Sequence, residues 1–185
     1  MLYEIQNYFE DYFKYLYKHI SNIDEKDLKN FIKIILDSTN KGNKILIAGN
    51  GGSASIASHV SVDFVKAAGL KCVNFNEPNL ITCFSNDYGY EEWISKALEV
   101  YSEKNDLLIL ISSSGTSKNI LNAAKTSNKK GLKLVTFSGF ESNNPLRQLG
   151  DLNFWVNSKS YNYVEMSHHI WLVAVVDFLT KKNKQ

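Results

Sequence analysis

Cysteine and proline are scarce in this chain of 185 residues, which contains two of each. Cys72 and Cys83 lie in or beside apolar runs and have no paired CxxC spacing. The sequence therefore predicts two reduced core residues and excludes a disulfide framework or a cysteine-based zinc site. No low-complexity linker divides the chain, and 44% of its residues are hydrophobic. We expect one domain over residues 1–185 with a core of its own.

An excess of charge of one sign and long apolar runs are also absent. The formal net charge is +2 and lysines are interspersed with acidic residues, which excludes the basic footprint of a nucleic-acid-binding protein. The sequence has no run of about 18 apolar residues and no basic-then-apolar N-terminal signal. We expect a soluble cytoplasmic protein whose partners include neither nucleic acid nor a membrane.

Apolar periodicity predicts two leading helices, over residues 2–21 and 24–40. The first carries a wide aromatic stripe, which needs either a partner subunit or the protein's own sheet to pack on. We predict that residues 1–40 form a helical extension used in oligomerisation.

Strands and helices then alternate, which predicts βαβ units, a parallel sheet and helices on both of its faces. The predicted strands cover residues 44–48, 71–75, 107–111, 131–137 and 152–156. The predicted helices between and after them begin near residues 53, 90, 118 and 164.

A glycine-rich turn, residues 49–53 (Gly-Asn-Gly-Gly-Ser), follows the first predicted strand. Glycine tolerates positive φ and has no Cβ to hold a ligand away, so this turn exposes backbone N–H groups at a helix start, where anions bind. A turn that binds nothing and a dinucleotide site are the alternatives. The acidic residue that a dinucleotide site requires at the end of the next strand comes late, at Glu77.

A second loop of small residues follows the buried run 106–111. Residues 112–117 contain four serines and a threonine and precede a helical pattern. Their hydroxyl groups and the free N–H groups of the helix start are hydrogen-bond donors. Because the carboxyl ends of parallel strands share one edge of a sheet, both loops are expected to face one crevice. A phosphorylated small molecule fits there better than a dinucleotide.

These two loops, together with His59, the segment 86–90 (Asn-Asp-Tyr-Gly-Tyr) and a closing helix that contains Glu165, make the sequence similar to the sugar isomerase (SIS) domain family. Within that family it resembles the phosphoheptose isomerases, over nearly the whole chain. The resemblance implies a three-layer α-β-α fold with a flavodoxin-like parallel sheet. It also implies an aldose-ketose isomerase acting on sedoheptulose 7-phosphate for surface-polysaccharide precursors.

The resemblance further implies a phosphorylated sugar as ligand, a homotetramer or dimer with active sites between subunits, and zinc as the one cofactor, often bound. The substrate-binding residues that it implies are Asn50, Gly51, Gly52, Ser53, Asp87, Ser112, Ser113, Ser114 and Ser117.

Such a reaction needs a base to remove a proton next to the carbonyl, an acid to return one, and a stabilised enediol. The phosphoheptose isomerases carry a histidine and, one turn later, a glutamate on the helix after the glycine turn. The corresponding pair here is His59 and Asp63, which are four residues apart and can face the same crevice. Aspartate shortens the reach by one methylene.

The last helix departs from the family pattern of a glutamine, a histidine three residues on and a catalytic histidine five further. If Glu165 takes the glutamine position, His168 takes the next one and Val173 replaces the catalytic histidine. A shift by one residue puts Leu172 there instead. We predict that Glu165 and His168 replace the missing acid and base, and that His169 lies on the wrong face.

Together with His59 and Asp63, Glu165 and His168 complete the predicted catalytic set and the predicted zinc ligands. The alternative is that Glu165, His168 and His169 lie in a polar subunit interface. Two further functions remain open at this point: a non-catalytic SIS protein that binds a phosphosugar as a sensor or interaction partner, and a nucleotide-binding domain.

Overall fold

A parallel five-stranded sheet forms the centre of the computed structural model, which describes residues 2–183. Its order is β2-β1-β3-β4-β5, the flavodoxin-like order, and every neighbouring pair is parallel. The predicted fold class is therefore confirmed. The strands are β1 (Ile45–Gly49), β2 (Cys72–Asn74), β3 (Leu107–Ser112), β4 (Lys133–Ser138) and β5 (Leu152–Trp155).

Seven α-helices surround the sheet within the described residues. Three of them, α2, α3 and α7, share one apolar cluster on one face, and α5 and α6 share a second cluster on the other face. The helices are α1 (Leu2–Ser21), α2 (Glu25–Thr39), α3 (Gly52–Lys66), α4 (Pro78–Tyr88), α5 (Trp93–Tyr101), α6 (Lys118–Lys130) and α7 (Tyr161–Asn183). None of these helices is long and apolar enough to cross a membrane.

Strands β1 and β3 are buried along their whole lengths. Successive side chains of a strand point to opposite faces, so a sheet covered by helices on both faces requires continuous apolar runs. This explains why the sequences of β1 and β3 are almost uninterrupted hydrophobic segments. Their carboxyl ends lie at the reversal point of the strand order, where ligands bind in folds of this kind.

Helix α4 contains a largely apolar run, residues 80–84, that lies outside every predicted helix and strand. Its first turn has clear start signals, because the side chain of Glu77 accepts a hydrogen bond from Leu80 N at 2.8 Å and Pro78 occupies the first turn. The helix contains no buried residue, and Cys83 on it is exposed. The prediction that Cys83 is a core residue is therefore wrong, whereas Cys72 is partly buried.

Helix α1 packs on α7 along one side only. The indole Nε1 of Trp171 donates to Ile20 O at 2.9 Å, and the rings of Tyr12 and Tyr163 are 4.9 Å apart between centroids. The side of α1 that faces away from α7 exposes the rings of Phe9, Phe13 and Tyr17, which are 51%, 60% and 72% exposed.

Candidate functional site

A cavity of about 420 Å³ opens at the carboxyl ends of β1 and β3. The glycine-rich turn forms one wall, the serine-rich loop forms another, and the first two turns of α7 form a third. The lining residues are Asn50, Gly51, Gly52, Ser53, Ile111, Ser112, Ser113, Ser114, Ser117, Tyr161 and Glu165. Eight of the nine residues predicted to bind substrate thus lie around one cavity.

The glycines of the first wall are required by its geometry. Gly51 has a φ of +54°, a conformation that residues with a Cβ rarely adopt, and it immediately precedes α3. A Cβ on Gly52 would overlap the carboxyl group of Glu165. The backbone of α3 therefore starts close to the cavity, with its free N–H groups near the ligand space.

The serine-rich loop turns sharply at Gly115, whose φ is +66° and whose N–H donates to Ser112 O at 3.0 Å. Ser114 Oγ accepts a hydrogen bond from Thr116 N at 3.3 Å, which holds the loop in place. Ser117 stands at the start of α6, but its side chain makes no capping bond to the helix. Its hydroxyl group therefore remains able to contact a ligand in the cavity.

Glu165 is the one carboxyl group that lines the cavity within the part of the chain described. Ser113 Oγ donates to Glu165 Oε1 at 3.5 Å. Burial raises the pKa of Glu165, and the hydrogen bond from Ser113 opposes this shift. A carboxyl group with a raised pKa exchanges protons near neutral pH more readily than an ordinary glutamate does.

A second polar cluster lies on the facing sides of α3 and α7. His59 Nδ1 and His169 Nε2 are 2.7 Å apart, and His59 Nε2 is 3.2 Å from Asp63 Oδ2. A carboxylate only accepts, so His59 Nε2 donates to Asp63, and one hydrogen bond joins His59 Nδ1 to His169 Nε2. Burial, followed by the neighbouring His59, lowers the pKa of His169. The prediction that His169 lies on the wrong face is therefore wrong.

His168, in contrast, points into the core. It is fully buried, its Nε2 lies 3.0 Å from Ser138 O, and its ring contacts the rings of Phe137 and Trp171. A carbonyl oxygen only accepts, so Nε2 carries the proton. Burial lowers the pKa of His168 to about 4. The structure contradicts the prediction that His168 acts as an acid, a base or a zinc ligand beside Glu165.

The predicted zinc ligands do not converge. Glu165 lines the cavity, His59 and Asp63 lie together on α3, and His168 is in the core. Over residues 2–183, no three His, Cys, Asp or Glu side chains are grouped as a metal ion requires. The residues present do not fit the zinc site that the family resemblance implies.

Asp87 lies outside the cavity lining. It is an exposed residue of α4, and its carboxylate accepts from Asn86 Nδ2 at 3.0 Å. Sequence reasoning missed Tyr161, which lines the cavity because α7 begins three residues earlier than predicted. It also missed Asn119, whose amide exchanges hydrogen bonds with that of Asn50 at 2.9 Å.

Comparison with known proteins matches the SIS domain family over residues 7–139. A phosphoheptose isomerase of Thermodesulfovibrio yellowstonii is 35% identical over 162 residues, which span 82% of this chain and 80% of that protein. One from Helicobacter pylori is 30% identical over 183 residues, spanning 96% and 94%. Among solved structures, a phosphoheptose isomerase from Francisella tularensis has the same fold, with a TM-score of 0.87, 23% identity and 98% of each chain covered.

Proposed function

Because this chain belongs to the SIS domain family, we propose that it is an aldose-ketose isomerase that interconverts sedoheptulose 7-phosphate and heptose 7-phosphate. This reaction would feed surface-polysaccharide precursor synthesis. The single observation that carries the proposal is the position of Glu165, whose carboxyl group lies in the same cavity as the two anion-binding loops. A phosphosugar held by its phosphate thereby brings its sugar chain to a proton-transfer group.

Each part of the cavity has a separate task in this reaction. The hydroxyl and N–H groups of the serine-rich loop and the N–H groups at the start of α3 bind the phosphate. Glu165 takes a proton from the hydroxymethyl carbon next to the carbonyl, and the carbonyl oxygen gains a proton, which gives the enediol. Glu165 then returns its proton to the former carbonyl carbon while the terminal hydroxyl group loses its proton, which gives the aldose with no net change in protons. The amide of Asn50 donates to the sugar oxygen on which charge develops.

Replacing Ser114 or Ser117 by alanine is expected to weaken phosphosugar binding by about 1 to 3 kcal/mol each, since each change removes one hydrogen bond to a charged group. Titration calorimetry with sedoheptulose 7-phosphate measures this loss. Ser142→Ala, at an exposed serine outside the cavity lining, is the matched control and should bind as the wild type does. Unchanged affinity in both loop variants would remove the serine-rich loop from the site.

The proposed activity is tested by incubating the purified protein with sedoheptulose 7-phosphate and following the appearance of the aldose by NMR. We expect a steady conversion that approaches the same equilibrium from either sugar. A protein that binds the ketose phosphate but forms no aldose from it would contradict the proposed reaction.

A non-catalytic phosphosugar-binding role is the second candidate. The observation that favours it is the nature of the last helix, in which Leu172 is buried and Val173 packs against the same apolar cluster. No histidine occupies either position at which the family resemblance places the catalytic one. A ligand-induced rise in melting temperature without product would support this second function.

We also propose that the aromatic side of α1 joins copies of this chain, so that residues 1–40 serve in oligomerisation. The rings of Phe9 and Phe13 lie 6.1 Å apart between centroids and are 51% and 60% exposed, a large apolar area for a helix surface. Replacing both by glutamate should yield a smaller species in light scattering, whereas Lys14→Glu on the same helix should not. An unchanged molar mass in the double variant would show that this surface of α1 is not the oligomer interface.

A further inference from the structure

We propose that Asn119 and Tyr90 are positioning residues that turn the side-chain amide of Asn50 so that it presents only a hydrogen-bond donor to the ligand. This inference rests on the proposed function and specifies how one wall of the cavity acts in it. Asn50 lines the cavity, whereas Asn119 and Tyr90 contact Asn50 and are not among the lining residues.

The amides of Asn50 and Asn119 form a closed pair. Asn50 Nδ2 donates to Asn119 Oδ1, and Asn119 Nδ2 donates to Asn50 Oδ1, both at 2.9 Å. The hydroxyl group of Tyr90 donates to the same Asn50 Oδ1 at 3.1 Å. Asn119 is only 2% exposed and lies in the first turn of α6. The pair therefore joins the turn after β1 to the helix after β3, across the reversal point of the sheet.

The backbone N–H of Ile120 determines the orientation of the side-chain amides of Asn119 and Asn50. Ile120 N donates to Asn119 Oδ1 at 3.0 Å. A backbone N–H can only donate, so the atom that faces it must be an oxygen. Asn50 must then turn its nitrogen toward that oxygen. Its own oxygen consequently faces Asn119 Nδ2 and Tyr90.

In this orientation the side-chain amide of Asn50 has a free hydrogen-bond donor and no free acceptor. Its oxygen accepts two hydrogen bonds, which use both lone pairs. Its nitrogen has two hydrogens, and only one of them is bonded to a residue in the described range 2–183. The remaining N–H is a fixed donor at the cavity wall. A fixed donor stabilises the oxygen that becomes negative when the adjacent carbon loses its proton.

The test compares kcat and KM for sedoheptulose 7-phosphate in two variants. Asn119→Asp replaces the donor that faces Asn50 by an acceptor and should lower kcat about 100-fold, the usual effect of losing a donor to a developing oxyanion. Tyr90→Phe removes one hydrogen bond and should lower kcat about threefold to tenfold. KM should stay within about twofold, because the donor acts mainly as charge develops. Tyr101→Phe and Asn128→Asp are matched controls outside the network.

A double-variant measurement separates positioning from a merely structural role. In an Asn50→Ala background, adding Tyr90→Phe should cause no further loss of kcat, since Tyr90 acts through Asn50. A further loss as large as in the wild-type background would overturn the inference. Tyr90 is 54% exposed, so this variant should fold even if Asn119→Asp does not.

A measurement that does not depend on turnover distinguishes failure of the proposed isomerase activity from failure of the positioning role. The Asn50 side-chain amide signal in ¹⁵N NMR, assigned by its loss in Asn50→Ala, should show one solvent-protected proton in the wild type. That protection should fall in Asn119→Asp and in Tyr90→Phe, but not in Tyr101→Phe. Absent turnover with this pattern intact contradicts the isomerase alone. An amide that is unprotected in the wild type contradicts the positioning role.

Discussion

Replacing Glu165 by glutamine is expected to lower kcat for phosphosugar isomerisation by at least about 100-fold, the usual contribution of a general acid or base. Glutamine has the same size and can still accept the hydrogen bond from Ser113, but it cannot release or take up a proton at neutral pH. Phosphosugar affinity, measured by calorimetry, should change little. Loss of turnover with binding intact would identify Glu165 as a proton-transfer group.

Glu141→Gln is the control for this variant. Glu141 is an exposed glutamate that pairs with Lys159 at 2.6 Å and does not line the cavity. Its replacement should leave kcat unchanged. If Glu165→Gln retained full activity as well, the proton would have to move through another group, and the cluster of His59, Asp63 and His169 would be the next set to replace.

Stability should fall by about 3 kcal/mol between pH 6.5 and pH 4 because of His168. Burial lowers the pKa of His168 from 6.5 to about 4. Between pH 6.5 and pH 4, His168 binds a proton in the unfolded chain but stays neutral in the folded protein. Unfolding therefore becomes more favourable as pH falls. The loss is complete near pH 4, where the folded protein also binds the proton. Urea unfolding at several pH values measures it.

His168→Leu is the variant that isolates this effect. The leucine has no titrating group, so the free energy of unfolding should fall less steeply over the same pH range, even if the variant is less stable at pH 8. His19 and His169, whose pKa values are also lowered by burial, account for part of the slope that remains. An unchanged slope in His168→Leu would contradict the neutral, buried state of this histidine.

The sheet and its two loops were predictable because their signals are local. Buried parallel strands require continuous apolar runs, and the turns after β1 and β3 require glycine or small hydroxyl residues. Helix α4 was harder, since the β-branched and aromatic residues Ile81, Thr82 and Phe84 have low helix propensity. Its start signals, Glu77 and Pro78, precede that run and could have identified it.

The prediction of His168 rather than His169 was wrong because it followed the spacing of the family motif. Which side of α7 each histidine faces depends instead on its position around the helix. His168 continues the buried stripe of α7 that includes Val164 and Leu172, each four residues away. His169 is four residues after Glu165 and shares its side of the helix. The apolar spacing of α7 was visible in the sequence. The close approach of His59 to His169 was not visible there, because it depends on how α3 and α7 pack.

Solvent exchange tests the central claim most directly. The protein is incubated with sedoheptulose 7-phosphate in deuterated water, and NMR follows deuterium at the carbon next to the carbonyl. The proposed isomerisation predicts deuterium there together with aldose product, and the loss of both signals in Glu165→Gln. A wild-type protein that shows neither signal while sedoheptulose 7-phosphate still raises its melting temperature would contradict isomerase activity and establish a phosphosugar-binding protein.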